Sequence, residues 1–407
     1  MNYLWGLLGI ICILGIAFLL STNKRNINIR TVVVALIIQI SFAFIVLKWP
    51  LGRAIFQKIT DGVNNVIGYA NEGINFLVGG LYTPQSGITT VFLFNVLGII
   101  IFFSALISVL YYLGIMQFVI KYVGGALSKL LGTKKAETFN ATANIFVGCT
   151  EAPLVIKPFI DRLTKSELFS VMVCGLASVS GSVLVGYSLM GVPLDYLLAA
   201  SIMSAPAGLL LSKIMIPETE ESQEDEKGFE MTRDEESANV IDAAANGAST
   251  GLQLALNVGA MLLAFIALIA LVNGLLSFVG GWFGFEQLSI ELILSYIFAP
   301  LAFVIGVPWH EALQAGNFIG QKLVINEFVA YSNFAPMIDS LSNKAVVIIS
   351  FALCGFANLS SLGILLGGLG KLSPKRRPDI ARLGIKAIIA GALASCLSAA
   401  IAGMIIG

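Results

Sequence analysis

Residues 252–278 are almost continuously apolar and carry no charged side chain. About 20 such residues cross the hydrocarbon core of a bilayer as a helix. Comparable runs recur at roughly 3–20, 31–49, 89–116, 166–190, 194–214, 343–367 and 380–406. In lipid every backbone polar group needs an internal partner, so apolar runs of this length are helices. The pattern predicts an all-α integral membrane protein with eight transmembrane helices. Composition agrees: 12% of the residues are charged and the mean hydropathy is +0.89, against about 25% charged in soluble domains. The N-terminus lacks a basic leader and a small-residue cleavage site, so the first run reads as a retained span rather than a signal peptide.

Two apolar stretches do not fit as spans. Residues 136–163 are broken by Gly148, Cys149, Thr150 and Glu151, and about 308–340 by Ile325, Asn326 and Glu327. Each reads as a re-entrant hairpin that enters and leaves on one side. Residues 50–80 and 117–133 read as amphipathic interfacial segments. With the N-terminus outside, this topology puts 19 of the 24 Lys and Arg inside, as the positive-inside rule requires. Only Lys48, Arg53, Lys58, Lys322 and Lys344 then lie outside, and the C-terminus is outside too. The polar, acidic stretch 217–236 reads as a solvated linker inside.

The two halves resemble each other. Cys174 to Ser182 reads CGLASVSGS and Cys354 to Leu362 reads CGFANLSSL, an offset of 180. A broken hairpin precedes each, with Glu151 and Glu327 at the breaks. Since one hairpin enters from inside and the other from outside, the repeat is inverted. Inverted repeats with discontinuous helices are the pattern of secondary transporters. Non-helical backbone at membrane depth survives where it is buried or lines a polar cavity. It frees N–H groups for a polar solute and carbonyls for a cation.

Ionisable residues inside a membrane are functional candidates by default, which singles out Glu151 and Glu327; an acid at a break can also simply cap its half-helix. Asn358 and Ser361 share one helix face, as do Ser178 and Ser182. Phe356 is core packing or a surface for a ring. Sodium prefers hard oxygens, and Asn144, the carbonyl at Val147, and Ser178 offer them. His310 and Glu311 read as structural. Five scattered cysteines and a single histidine leave little material for a disulfide framework, a zinc site or a catalytic triad, and an intramembrane enzyme lacks its parts. A net charge of zero gives no argument for nucleic acid.

The motifs VGCTEAPLVIKP, KLVINEFVAY and CGFANLSSLG closely resemble the concentrative nucleoside transporters, over roughly residues 85–405, and the short N-terminal part resembles their bacterial, eight-span branch. The resemblance implies a homotrimer in the cell inner membrane that imports nucleosides such as uridine, cytidine and adenosine with sodium. It implies an elevator in which a transport part moves against a scaffold. The scaffold is then 1–88, 89–135 and 251–307; the transport part is 136–215 and 308–407; the linker is 216–250. By motif, Gly148, Cys149, Thr150 and Glu151 face the base, Val183 and Leu184 flank it, and Phe356 packs nearby. Glu327, Asn358 and Ser361 hold the ribose hydroxyls. Asn144, Ser178 and the backbone oxygens of Val147 and Val179 hold sodium; no organic cofactor is implied. Many members of the family carry Gln where this chain has Cys149, which bears on base selectivity because a thiol is a poor amide substitute. Proton coupling through Glu151 or Glu327 is the alternative; Asn144, a neutral ligand with no proton to carry, favours sodium.

Overall fold

The computed structural model describes residues 2–81, 91–222 and 237–407, so most of the acidic linker lies outside the described residues. The described residues are helical throughout, and the local chemistry sets the helix starts. Helix α1 is Asn2–Leu19. Asn28 caps α2 (Ile29–Leu47) by accepting from the amides of Arg30 and Thr31, and Pro50 opens α3 (Pro50–Val78). A short α4 (Phe92–Asn95) leads into α5 (Leu97–Tyr112), followed by α6 (Ile115–Leu131), which ends at Gly132 with φ +69°. Then comes α7 (Lys135–Ala143), a break, and a 3₁₀ helix at Ala152–Arg162. Thr164 and Glu167 form a capping box on α8 (Lys165–Ala177). After a second break come α9 (Gly181–Leu189) and α10 (Leu194–Met215).

The second half runs the same course. Asn239 caps α11 (Val240–Gly281), and Ser289 caps α12 (Ile290–Val304). The next helix is α13 (Trp309–Val324). After a break Asn326 caps α14 (Glu327–Phe334), accepting from Val329 N–H. Ser342 caps α15 (Asn343–Leu353). Beyond a longer break lie α16 (Ser361–Gly367), α17 (Leu369–Leu372) and α18 (Arg377–Ile406). Thus α5 to α10 and α11 to α18 repeat one sequence of elements: two helices, helix–break–helix twice, then a long helix.

Six helices among the described residues are long and apolar enough to cross a membrane, two fewer than the eight expected. The expected span 3–20 is α1, an apolar helix of 18 residues. The expected span 343–367 is α15 and α16 with non-helical Cys354–Ser360 between them. The expected span 252–278 is the middle of a 42-residue helix, about 63 Å long at 1.5 Å per residue and roughly twice a bilayer core.

The helices fall into two kinds. Helix α8 buries 12 of its 13 residues in the protein, whereas the 42-residue α11 buries seven. The core is α8, α10, α15 and α18, with α1 laid along α18 and α2 along α10. The long α11 packs on α5, where a Cβ at Gly247 or Gly251 would come within 2.6 and 2.7 Å of Ser108 and Ser104. Small residues one turn apart permit this backbone approach. Gly316 and Gly320 do the same for α13 against α12. Lys213 of α10 pairs with Glu137 of α7 at 2.7 Å, both nearly excluded from solvent. Glu311 accepts from Ser342 N–H at 2.6 Å and its hydroxyl at 2.7 Å, so it pins α13 to the start of α15, a structural role. Lys322 corrects the charge count: it is 1% exposed in the last turns of α13, not an outside loop charge.

Candidate functional site

The breaks meet at the centre of the core. The first follows α7, where Asn144 is the C-cap and residues through Thr150 are turns. It is held against the break after α8: Gly181 N–H donates to Phe146 O at 2.9 Å. Cys149 packs on Gly175, where a Cβ would come within 2.8 Å of Cys149 Cβ. Only a glycine fits there. Thr150 reaches the other half, in contact with Gly368 after α16. The break after α15 closes on the break after α8, with Phe356 N–H donating to Ser178 O at 3.2 Å. Gly355, at φ +157°, lets the chain pass the carbonyls of Leu176 and Ala177.

Around this junction the second half gathers a polar cluster. Glu327, 3% exposed, is the first residue of α14, where the free amides and helix dipole favour an anion. Its Oε2 accepts from Asn358 Nδ2 at 2.9 Å and its Oε1 from the Tyr187 hydroxyl at 3.2 Å. Asn358 Oδ1 accepts from Ser361 N–H at 3.0 Å and from the Ser360 hydroxyl at 2.6 Å, and lies 3.0 Å from Ser361 Oγ. Ser361 Oγ also bonds Phe356 O. So Glu327, Asn358 and Ser361, grouped from the sequence, form one hydrogen-bonded unit that also takes in the Phe356 carbonyl. Val183 and Leu184 are buried on α9, and Tyr187 follows Val183 by one turn.

The first half presents a different surface. Asn144 Nδ2 donates to Asn140 O at 2.9 Å, but Asn144 Oδ1, fully buried, has no hydrogen-bond donor among the described residues, and neither does Asn140 Oδ1. Ser178 Oγ donates to Cys174 O at 3.0 Å; Val179, the next residue, and Val147, three residues after Asn144, are buried. An orphaned neutral oxygen at the carbonyl end of a helix suits a small cation. The residues therefore fit sodium: a side-chain amide, a hydroxyl and carbonyls, without a compulsory carboxylate.

A cavity of about 640 Å³ opens beside the first break. Glu151, Val147, Phe146, Ser180 and Ser182 line it, with Tyr111 and Ser108 of α5 and Asn246 of α11. Glu327, Asn358 and Ser361 do not line it. Gly148 sits in ordinary contact with Ser180. Of the predicted residues, Val147, Glu151 and Ser182 line the cavity, whereas the Glu327 cluster does not. Sequence reasoning missed Tyr187, Asn140 and Lys322. Helical spacing from Val183 and Asn144 was the available signal for the first two.

Family models match nearly the whole chain: "Na+ dependent nucleoside transporter N-terminus" over residues 8–81, "Nucleoside recognition" over 93–194 and "Na+ dependent nucleoside transporter C-terminus" over 196–403. The last spans half the chain. The protein belongs to the concentrative nucleoside transporter family. It is 61% identical over 406 residues to the uncharacterized transporter YutK of Bacillus subtilis, covering 100% of both chains. It is 50% identical over 415 residues to the nucleoside permease NupC of Helicobacter pylori, covering 99% and 98%. The solved structure of CNTnw in an inward-facing, substrate-bound state is 54% identical, with a TM-score of 0.95 over 100% of this chain and 98% of that one. A variant of CNTnw in an outward-facing state matches with a TM-score of 0.97 and the same identity, over 100% and 99%. The chain is a multi-pass membrane transporter of nucleosides, not an enzyme.

Proposed function

We propose that the protein is a sodium-coupled nucleoside importer of the inner membrane, working by elevator-type alternating access. In this reading the two helix–break–helix segments α7 to Arg162 and α13 to α14 are re-entrant hairpins of opposite entry, and both termini face outside. Glu327, Asn358 and Ser361 bind the ribose hydroxyls. A carboxylate already accepting from Tyr187 and Asn358 can exchange the Tyr187 hydroxyl for one on a sugar. Gly148, Cys149, Thr150 and Glu151 face the base across the cavity, Val183 and Leu184 flank it, and Phe356 packs against it. The observation that carries the reading is the junction itself: Phe356 N–H on Ser178 O joins the break that presents Asn358 to the break that presents Ser178.

Sodium is favoured over a proton by Asn144 Oδ1, a buried acceptor without a donor. Asn144, Ser178 and the carbonyls of Val147 and Val179 would hold the ion, and it supplies the positive charge that those oxygens lack. Because Ser178 is shared through its carbonyl with the second break, order at the ion ligands favours order at the ribose ligands. In this reading residues 1–88, 89–135 and 251–307 make the trimer scaffold, and 136–215 and 308–407 make the moving transport part. Uptake of radiolabelled uridine into proteoliposomes tests the reading. An inward sodium gradient should stimulate uptake and a proton gradient alone should not; the reverse would replace sodium by protons.

A further inference from the structure

Lys322 is the buried charge that the proposed mechanism leaves unused. Its ammonium donates to Ala352 O at 2.8 Å, and it forms no direct ion pair among the described residues. Ala352 lies in the last turn of α15. In a continuing helix its carbonyl would accept from the amide four residues on, which is Phe356 N–H. That amide instead donates to Ser178 O in the other half. Breaking α15 to make the junction therefore strands the Ala352 carbonyl in the core, where an unmet acceptor is costly. Lys322 fills the gap from α13, five residues before Glu327. Glu327, across the break at the start of α14, is the buried acid that follows it in the chain.

We propose that the Lys322 ammonium is a built-in cation of the second half: it caps the broken end of α15 and positions the Glu327 carboxylate. It stands where a helix runs out beside a break, the same kind of place that the first half offers to sodium at Asn144 and Ser178. One half thus takes its cation from solution and the other carries it on the chain. Because Lys322 frees Phe356 N–H to bond Ser178 O, it also keeps the two breaks joined. Lys322 acts on the ligand through Glu327 and is a positioning residue. The proposal rests on the reading of Glu327 as a ribose ligand.

The test uses the purified full-length protein and compares Lys322→Met, Lys322→Arg, Glu327→Gln and the Lys322→Met/Glu327→Gln pair. The probes are uridine and 3′-deoxyuridine. Lys322→Met should weaken uridine binding roughly tenfold or more, the scale of one lost charge-assisted bond, and weaken 3′-deoxyuridine far less. Preference for the hydroxyl should collapse as it does in Glu327→Gln, with no further loss in the double variant. Lys322→Arg should recover part of it. Thermal melting gives a readout independent of ligand. Removing one buried charge leaves the other uncompensated, so the double variant should melt above at least one single variant. A Lys322→Met that folds only when combined with Glu327→Gln would make the same point. Losses in melting temperature that simply add, or an unchanged uridine preference in Lys322→Met, would overturn the proposal. Should Glu327→Gln keep its preference for uridine, the ribose reading fails, and the melting cycle still decides whether Lys322 and Glu327 are coupled.

Discussion

Asn144 carries its argument on one atom. Its Oδ1 is buried without a donor, an arrangement that costs about 1–3 kcal/mol when nothing compensates. In Asn144→Leu that acceptor is gone and the bulk is similar. The variant should therefore melt no lower than the wild type in sodium-free buffer. It should lose the sodium-dependent rise in melting temperature, which for a ligand at roughly a hundred times its Kd is worth about 2.7 kcal/mol. Sodium stimulation of uridine uptake should vanish with it. A melting temperature that still climbs with sodium would place the ion elsewhere. At this scale the sequence was informative where a polar atom is expensive: Asn144, Glu327, Asn358 and Ser361 stand out in apolar runs because burial must be compensated. It was silent on Tyr187, whose hydroxyl reaches Glu327 only because α9 of one half is laid against α14 of the other. It misplaced Lys322, because a lysine near a break reads as a loop charge until its carbonyl partner is seen.

The breaks were legible as elements and their lengths were not. Polar residues interrupt both greasy segments, and in the first Pro153 comes just after Glu151; Pro206 and Pro300, by contrast, lie inside α10 and α12. Yet Cys174 and Cys354, aligned by the repeat, have different fates. Cys174 is inside α8, and its carbonyl accepts from Ser178 Oγ one turn on. Cys354 is the C-cap of α15, and its carbonyl accepts from Ser395 of α18 at 3.1 Å. A tertiary partner thus moves the second break upstream of its counterpart, and Gly355 completes the turn. Its φ of +157° is open to glycine, and a Cβ there would meet Ser395 Oγ at 2.8 Å and Ala177 O at 3.0 Å. Gly355→Ala should cost on the order of 1–3 kcal/mol, push the break off Ala177 and Ser178, and impair sodium stimulation together with uridine binding. Melting curves and uptake at saturating sodium test this; a variant with wild-type values in both would show that the junction tolerates a side chain. The N-terminal extension of α11 escaped a hydropathy reading for another reason. Asn239 caps a helix whose first turns are polar and small, so the apolar run marks only its middle.

For the whole molecule, the decisive feature is where water can reach. The cavity lies between α5, the first break, α9 and the N-terminal turns of α11, the end of α11 that follows the acidic linker. On the proposed topology, with the linker inside, the cavity opens toward the cytoplasm, and Glu151, Ser180 and Ser182 line it. The Glu327 cluster lies beyond it, dry and self-satisfied. On the proposed alternating access, this state leaves the cavity side of the site open and seals the Glu327 side with protein. It also gives sidedness a chemical readout. All five native cysteines are free, and four of them are buried; Cys12→Ser removes the partly exposed one. A Ser182→Cys substitution then places a thiol on the cavity wall. A membrane-impermeant maleimide should modify it in inside-out vesicles and leave it intact in sealed right-side-out vesicles at rest. Saturating uridine with sodium should slow the reaction, because the nucleoside sits against the same break. Modification from the outer face alone would invert the topology. Modification from the inner face at an unchanged rate, in a protein shown to bind uridine, would detach the cavity from the substrate path.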